Sequence, residues 1–193
     1  EIIEFDENYK FVRAIGDPNC IGLTVAYKPK RIAVDSVGRM YVLVNNCYEG
    51  FAELDPEGNF NRYVGATPVT VSLIDRFWRS IQTEAQQARS SLWLPTTYSD
   101  LAIDAEGFLY ASIADSTSKD PIRKLNASGD DVMPESEFTE RPMGDFDESG
   151  KSLSNLTNIA VADDGRFAVL DSVYSRIFVY SNDGNLMYEF GGS

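Results

Sequence analysis

A unit of about forty residues recurs along this chain, and that recurrence restricts the fold more than any single residue does. Ile32-Ala33-Val34-Asp35-Ser36-Val37-Gly38-Arg39-Met40-Tyr41 is followed by Leu101-Ala102-Ile103-Asp104-Ala105-Glu106-Gly107-Phe108-Leu109-Tyr110. Then comes Ile159-Ala160-Val161-Ala162-Asp163-Asp164-Gly165-Arg166-Phe167-Ala168. Each reads as an alternating apolar strand, a polar turn closed by glycine, and a second strand. Self-similarity at this spacing implies stacked repeats that bury their faces against neighbours.

The second half of the unit repeats as well. Phe51-Ala52-Glu53-Leu54-Asp55-Pro56-Glu57-Gly58 matches Ile122-Arg123-Lys124-Leu125-Asn126-Ala127-Ser128-Gly129 and Ile177-Phe178-Val179-Tyr180-Ser181-Asn182-Asp183-Gly184. Asp, Asn or Ser followed by Gly reverses the chain, because the side chain bonds local backbone and Gly supplies positive φ. A fourth strand follows and ends in Gly at Tyr63-Val64-Gly65 and Glu189-Phe190-Gly191. Four antiparallel strands joined by short turns make one propeller blade. The chain opens with only the last two strands of such a unit, Ile2-Ile3-Glu4-Phe5-Asp6 and Phe11-Val12-Arg13-Ala14-Ile15-Gly16. The expected class is therefore all-β, a propeller of about three and a half four-stranded blades in one domain. Its order is a half blade at 1–16, a blade at 30–65, an insertion at 66–98, a blade at 99–138, a loop at 139–155 and a blade at 156–192. The blade at 99–138 has a poor fourth strand, which Pro134 would interrupt.

The last blade carries a resemblance. Asp171-Ser172-Val173-Tyr174-Ser175-Arg176-Ile177-Phe178-Val179-Tyr180, then Asp183-Gly184 and Tyr188-Glu189-Phe190-Gly191, resembles the NHL repeat. The pattern is clear in 30–65 and weaker over 100–138. The resemblance implies a β-propeller of about six blades in all. The stretch from Phe77-Trp78-Arg79-Ser80-Ile81 to Leu94-Pro95-Thr96-Thr97-Tyr98, running into a blade, resembles a bacterial NHL subgroup joined to a multi-pass membrane domain of the Yip type. That resemblance implies an extracytoplasmic, cell-surface or membrane-associated setting and brings no catalytic residues with it.

Chemistry is bounded chiefly by what is missing. The 193 residues contain no histidine. That removes histidine acid–base catalysis, Ser-His-Asp hydrolysis and histidine-ligated zinc. Some related propellers are zinc-dependent lyases or hydrolases, and their histidine ligands have no counterpart here. Net charge is −13, the wrong sign for phosphate-backbone contacts and for anionic lipid, so no nucleic-acid partner is expected. No apolar run reaches the roughly 18 residues of a membrane span, so no direct insertion by this segment is expected. Asp145-Phe146-Asp147-Glu148-Ser149-Gly150 resembles the start of a calcium loop, but position twelve is Leu156 rather than the bidentate Glu. No metal and no cofactor are expected.

The 66–98 insertion reads as helical. Leu73, Ile74, Phe77, Trp78 and Ile81 fall on one helical face, extended by Ala85, Ala88 and Leu92. Ser72 with Asp75 and Thr83 with Gln86 resemble capping boxes. A helix over 72–92, or two short ones broken near Gln82, would pack this face on the propeller as a lid. The alternative is that Arg76, Trp78, Arg79 and Trp93 touch a ligand or partner.

Blade geometry then sorts the connections. The short glycine turns all belong to one end of the blades. The long elements (17–29, 45–50, 66–98, 115–121 and 139–154) belong to the other. Loops on a rigid scaffold carry function more often than the scaffold does. The candidate binding residues on this long-loop face are Tyr48, Arg76, Trp78, Arg79, Trp93 and Asp115; no catalytic residue is named. Cys20 and Cys47 share that face, either as buried thiols or as a disulfide. The leading expectation is a non-catalytic module binding a protein or small-molecule ligand. The alternatives are a carboxylate- or calcium-dependent hydrolase or lyase, and a purely architectural module. Three and a half blades leave open edges, which are expected to be covered either by further blades of a larger propeller or by self-association with a second copy.

Overall fold

A computed structural model describes residues 1–20, 26–45, 47–66, 98–114, 121–134 and 154–192. Among them the secondary structure is all β, in thirteen strands. β1 (Ile2–Phe5) and β2 (Phe11–Ile15) form a two-stranded sheet. β3 (Pro29–Val34), β4 (Met40–Val44), β5 (Phe51–Leu54) and β6 (Phe60–Val64) form a four-stranded antiparallel meander. β7 (Asp100–Ile103), β8 (Leu109–Ser112) and β9 (Ile122–Leu125) form a three-stranded one. β10 (Leu156–Val161), β11 (Phe167–Asp171), β12 (Arg176–Tyr180) and β13 (Leu186–Gly191) close the series with four more. In the third sheet the described residues after β9 add a bridge between Leu125 and Asp131. The helical expectation for 66–98 and the calcium-like loop lie outside the described residues.

The repeated turns explain the repeated sheets. Seven turns (6–10, 35–39, 55–59, 104–108, 126–130, 162–166 and 181–185) share one hydrogen-bond grid. The first residue's N–H donates to the fifth residue's carbonyl, and the fourth residue's N–H donates to the first residue's carbonyl. This is a type I turn followed by one left-handed residue, a standard three-residue hairpin. The first side chain seals it. Asp35 Oδ1 accepts the Val37 and Arg39 N–H groups, and Asp6, Asp104 and Asn126 do the same in their own turns. The left-handed position is Gly in six turns and Tyr9, at φ 60°, in the first.

The middle strands of the second and third sheets have two buried faces because a neighbouring sheet packs on each side. β4 is buried at all five positions and β8 at all four. Three clusters fill the gaps. Ile15 packs with Met40, Val42, Val44, Ala52 and Leu54 between the first two sheets. Tyr41, Leu43, Phe51 and Val64 meet Leu101, Leu109, Ala111 and Leu125 in the next gap. Tyr110 and Ile122 meet Phe167, Val169, Phe178 and Tyr180 in the last. The innermost strands β3, β7 and β10 are neighbours, so the sheets radiate from a shared inner edge.

A polar staple repeats across the same gaps. Glu4 pairs with Arg13, whose guanidinium donates to the Pro56 carbonyl of the next sheet. At the equivalent positions Glu53 pairs with Arg62, which donates to the Ala127 carbonyl. In the third gap Lys124 stands where the Glu was and donates straight to Asn182 Oδ1, with its ammonium over the Phe108 and Tyr110 rings. The two ends of the stack stay uncovered: Ile3, Phe5, Ile32 and Val34 are exposed at one, and Leu186, Tyr188 and Phe190 at the other.

Candidate functional site

The inner strands carry a polar belt. Arg31, Asp100 and Asn158 each stand one residue before the repeated apolar-Ala-apolar triplet, so the fold brings them to the same height on β3, β7 and β10. Their side chains join. Arg31 Nε lies 3.0 Å from Asp100 Oδ1. Asn158 Nδ2 donates to Asp100 Oδ2 at 3.0 Å, and the Ile159 N–H donates to the same oxygen at 3.2 Å. Asp100 is buried while Arg31 remains half-exposed. One carboxylate thus ties three blades together, at the end of the inner strands that the long connections enter. Ser112 adds a second tie, sharing a hydroxyl contact with Ser99 and donating to the Thr157 carbonyl.

Asp171 is a further buried carboxylate, and it belongs to the Asp–Arg pattern of the last blade. It accepts the N–H groups of Asn155 and Val173 and faces Arg176 Nε at 3.1 Å. Burial works to raise its carboxyl. The two N–H groups, with Ser154 and the Arg176 guanidinium, outweigh that and hold it below the ordinary Asp range. Arg176 also stacks on Tyr174 and Phe178.

The long-connection end of the second sheet holds a different group. Cys20 and Cys47 are both buried and both free thiols. The Cys47 thiol donates to Glu49 Oε2 at 3.3 Å, and the Tyr48 N–H donates to the same oxygen at 3.1 Å. Tyr27 and Tyr63 bury their hydroxyls without a hydrogen-bond partner among the described residues, and the Cys20 thiol lies beside the Tyr63 hydroxyl. Burial raises the two thiols and the two phenols: Cys47 to about 11, Tyr27 to about 12, and Tyr63 and Cys20, the latter with Asp17 adding to it, above their ordinary values. At neutral pH all are protonated and uncharged.

Of the residues singled out from sequence, Tyr48 is placed here, half-buried beside the Cys47–Glu49 contact. Arg76, Trp78, Arg79, Trp93 and Asp115 lie outside the described residues. Sequence reading missed the belt and the staples. Both had a signal: a polar residue directly before each repeated triplet, and Glu and Arg nine residues apart in the same register of two hairpins. Among the described residues no three His, Cys, Asp or Glu side chains converge as a metal site would require.

No protein-family model matches this chain, and no curated protein matches it. Solved structures do. A streptogramin B lyase aligns at TM-score 0.55 and 15% identity, over 98% of this chain and 47% of its own. The virginiamycin B lyase of Staphylococcus aureus aligns at TM-score 0.54 and 7% identity, again over 98% of this chain and 47% of the lyase. The fold is a β-propeller. The extracellular domain of a hybrid two-component system of B. thetaiotaomicron aligns at TM-score 0.51 and 13% identity, over 99% of this chain and 22% of that one. The likeness to these proteins is one of fold. The chain spans about half the length of the two lyases.

Proposed function

We propose that this propeller is a non-catalytic binding module that recognises a protein or small-molecule ligand with the long-connection end of its blades. One observation carries the reading. Glu53, Asp100, Lys124 and Asp171 are the buried Asp, Glu and Lys residues among those described, and all four are consumed by contacts between strands or blades. A catalytic centre keeps a perturbed titratable group aimed at substrate. Here the buried charges brace the scaffold instead. The seven identical turns occupy one end of the sheets, which leaves the variable-length connections at the other for recognition.

The NHL-like pattern and the Yip-type resemblance support a bacterial, membrane-associated protein with this propeller outside the cytoplasm. The acidic net charge supports a partner other than nucleic acid. The uncovered edge of β1 and the exposed apolar side chains at both ends support self-association. A lyase is the second reading, favoured by the names of two structural neighbours. It would have to run proton transfer without histidine.

Two measurements separate the readings. Incubation with a streptogramin B substrate, followed by mass spectrometry, should leave the substrate intact. Steady turnover abolished by substituting a single carboxylate would replace the binding reading with the lyase. For binding, thermal-shift screening against peptides and oligosaccharides should give ligands whose effect is lost in Tyr48→Ala and kept in Gly107→Ala, at the opposite end. Hits that depend on the tight turns and ignore the long connections would overturn the assignment.

A further inference from the structure

We infer that Cys20 and Cys47 are a disulfide-forming pair that clamps the opening half blade to the second sheet. The two thiols are 27 positions apart in sequence, on two separate connections: the link from β2 to β3, and the β4–β5 loop. Folding brings both into one buried cluster with Ile15, Met40, Val42, Val44, Ala52 and Leu54. Among the described residues that cluster is where β1–β2 packs on the rest of the propeller, since Ile15 is the buried side chain of β2 and Ile2 packs against the same group. The thiols also share a neighbour. The Tyr63 hydroxyl lies beside Cys20 and within electrostatic reach of Cys47.

Both S–H groups are buried in a gap lined mainly by Ile15, Met40, Val42, Val44, Ala52 and Leu54. A disulfide removes both S–H groups from the apolar gap and leaves sulfur, which packs there as a small hydrophobe.

The reaction balances as two thiol–disulfide exchanges. The Cys20 thiolate attacks a small-molecule disulfide such as oxidised glutathione, and one glutathione thiolate leaves with the electron pair of the broken S–S bond. With the junction opened, Cys47 gives its proton to solvent base, and its thiolate attacks Cys20 Sγ, expelling the second glutathione thiolate. Two protein thiols are oxidised, one glutathione disulfide is reduced to two thiols, and the protons end on those thiolates. Such a bond forms and lasts in an oxidising compartment and is absent from a reducing one.

The test uses the protein as purified. It is equilibrated with reduced and oxidised glutathione at an oxidising ratio, with and without a sub-denaturing amount of urea to open the junction. It is then acid-quenched, unfolded and alkylated. Counting after unfolding matters, because burial holds both thiols protonated and slow to alkylate in the folded state. Expected are a loss of two hydrogens in mass, no alkylation, and a peptide carrying Cys20 joined to Cys47. The melting midpoint should rise by roughly 5–10 °C over the reduced protein and fall back on reduction. Cys20→Ala and Cys47→Ala should each keep one alkylatable thiol or one glutathione adduct and show no redox-dependent midpoint. Two free thiols under every oxidising condition would overturn the inference. So would glutathione adducts on both cysteines, or a bond that lowers the midpoint.

Discussion

Gly58→Ala should destabilise the propeller clearly more than Gly107→Ala, although the two glycines occupy the same place in the same turn. Both sit at positive φ, 95° and 89°. A Cβ in that region costs about 1–2 kcal/mol, partly offset by about 0.4–1 kcal/mol of lost freedom in the unfolded chain. At Gly107 that is the whole effect, since an added Cβ meets nothing within 4 Å. The expected loss there is about 1 kcal/mol. At Gly58 the new Cβ would stand 2.6 Å from Ile15 Cγ2 and 3.3 Å from Ile15 Cγ1. Ile15 is buried in the cluster that holds the half blade, so it has little room to yield. Overpacking of this kind adds about 1–3 kcal/mol, giving about 2–4 kcal/mol in total. Urea denaturation of the two variants measures the difference. Ile15→Ala supplies the control, because it removes both clashing carbons at a cost of about 2–5 kcal/mol for the cavity. The Gly58→Ala and Ile15→Ala double variant should then lose about 1–3 kcal/mol less than the sum of the singles. Equal losses for Gly58→Ala and Gly107→Ala, or additivity of the double variant within about 0.5 kcal/mol, would refute the reasoning.

Stability should fall in acid through Asp171. Its folded carboxyl is held below the unfolded value, so its contribution is complete above about pH 4 and is lost as pH drops through the folded value. Urea midpoints between pH 2 and pH 7 should show this acid limb, and Asp171→Asn should flatten it while lowering the plateau. Asp100→Ala strands the Ile159 N–H, the Asn158 amide and Arg31 together, and should cost about 2–4 kcal/mol by the same assay. Tyr9→Gly should instead stabilise, by about 0.5–1 kcal/mol, because Tyr9 is 90% exposed and held at φ 60° with nothing to lose but strain. A lowered midpoint for this variant would mean that the first turn does not share the strain of the others.

Local rules in the sequence determined the strands, the turns and their repetition. The triplets before Asp35, Asp104 and Ala162 and the Gly at the fourth turn position specify each hairpin through contacts no more than five residues apart. Such contacts are legible without knowing what lies next to the hairpin. The outer-strand weakness near Pro134 is legible for the same reason: past Val132, whose N–H donates to the Lys124 carbonyl, the described residues up to Pro134 add no further backbone pairing. What the tertiary structure decided is every contact made between blades. Arg31, Asp100 and Asn158 are spread over more than a hundred residues, and only radial stacking of the inner strands puts them at one height. Lys124 in place of a Glu looks like a broken repeat in sequence, yet in space it keeps the staple by reaching Asn182 directly. Cys20 and Cys47 likewise belong to one buried group because two connections fold over the same gap. Period-2 patterning tells a strand which face to bury, but not which neighbour covers it, and in a stack of similar sheets the neighbour sets the chemistry.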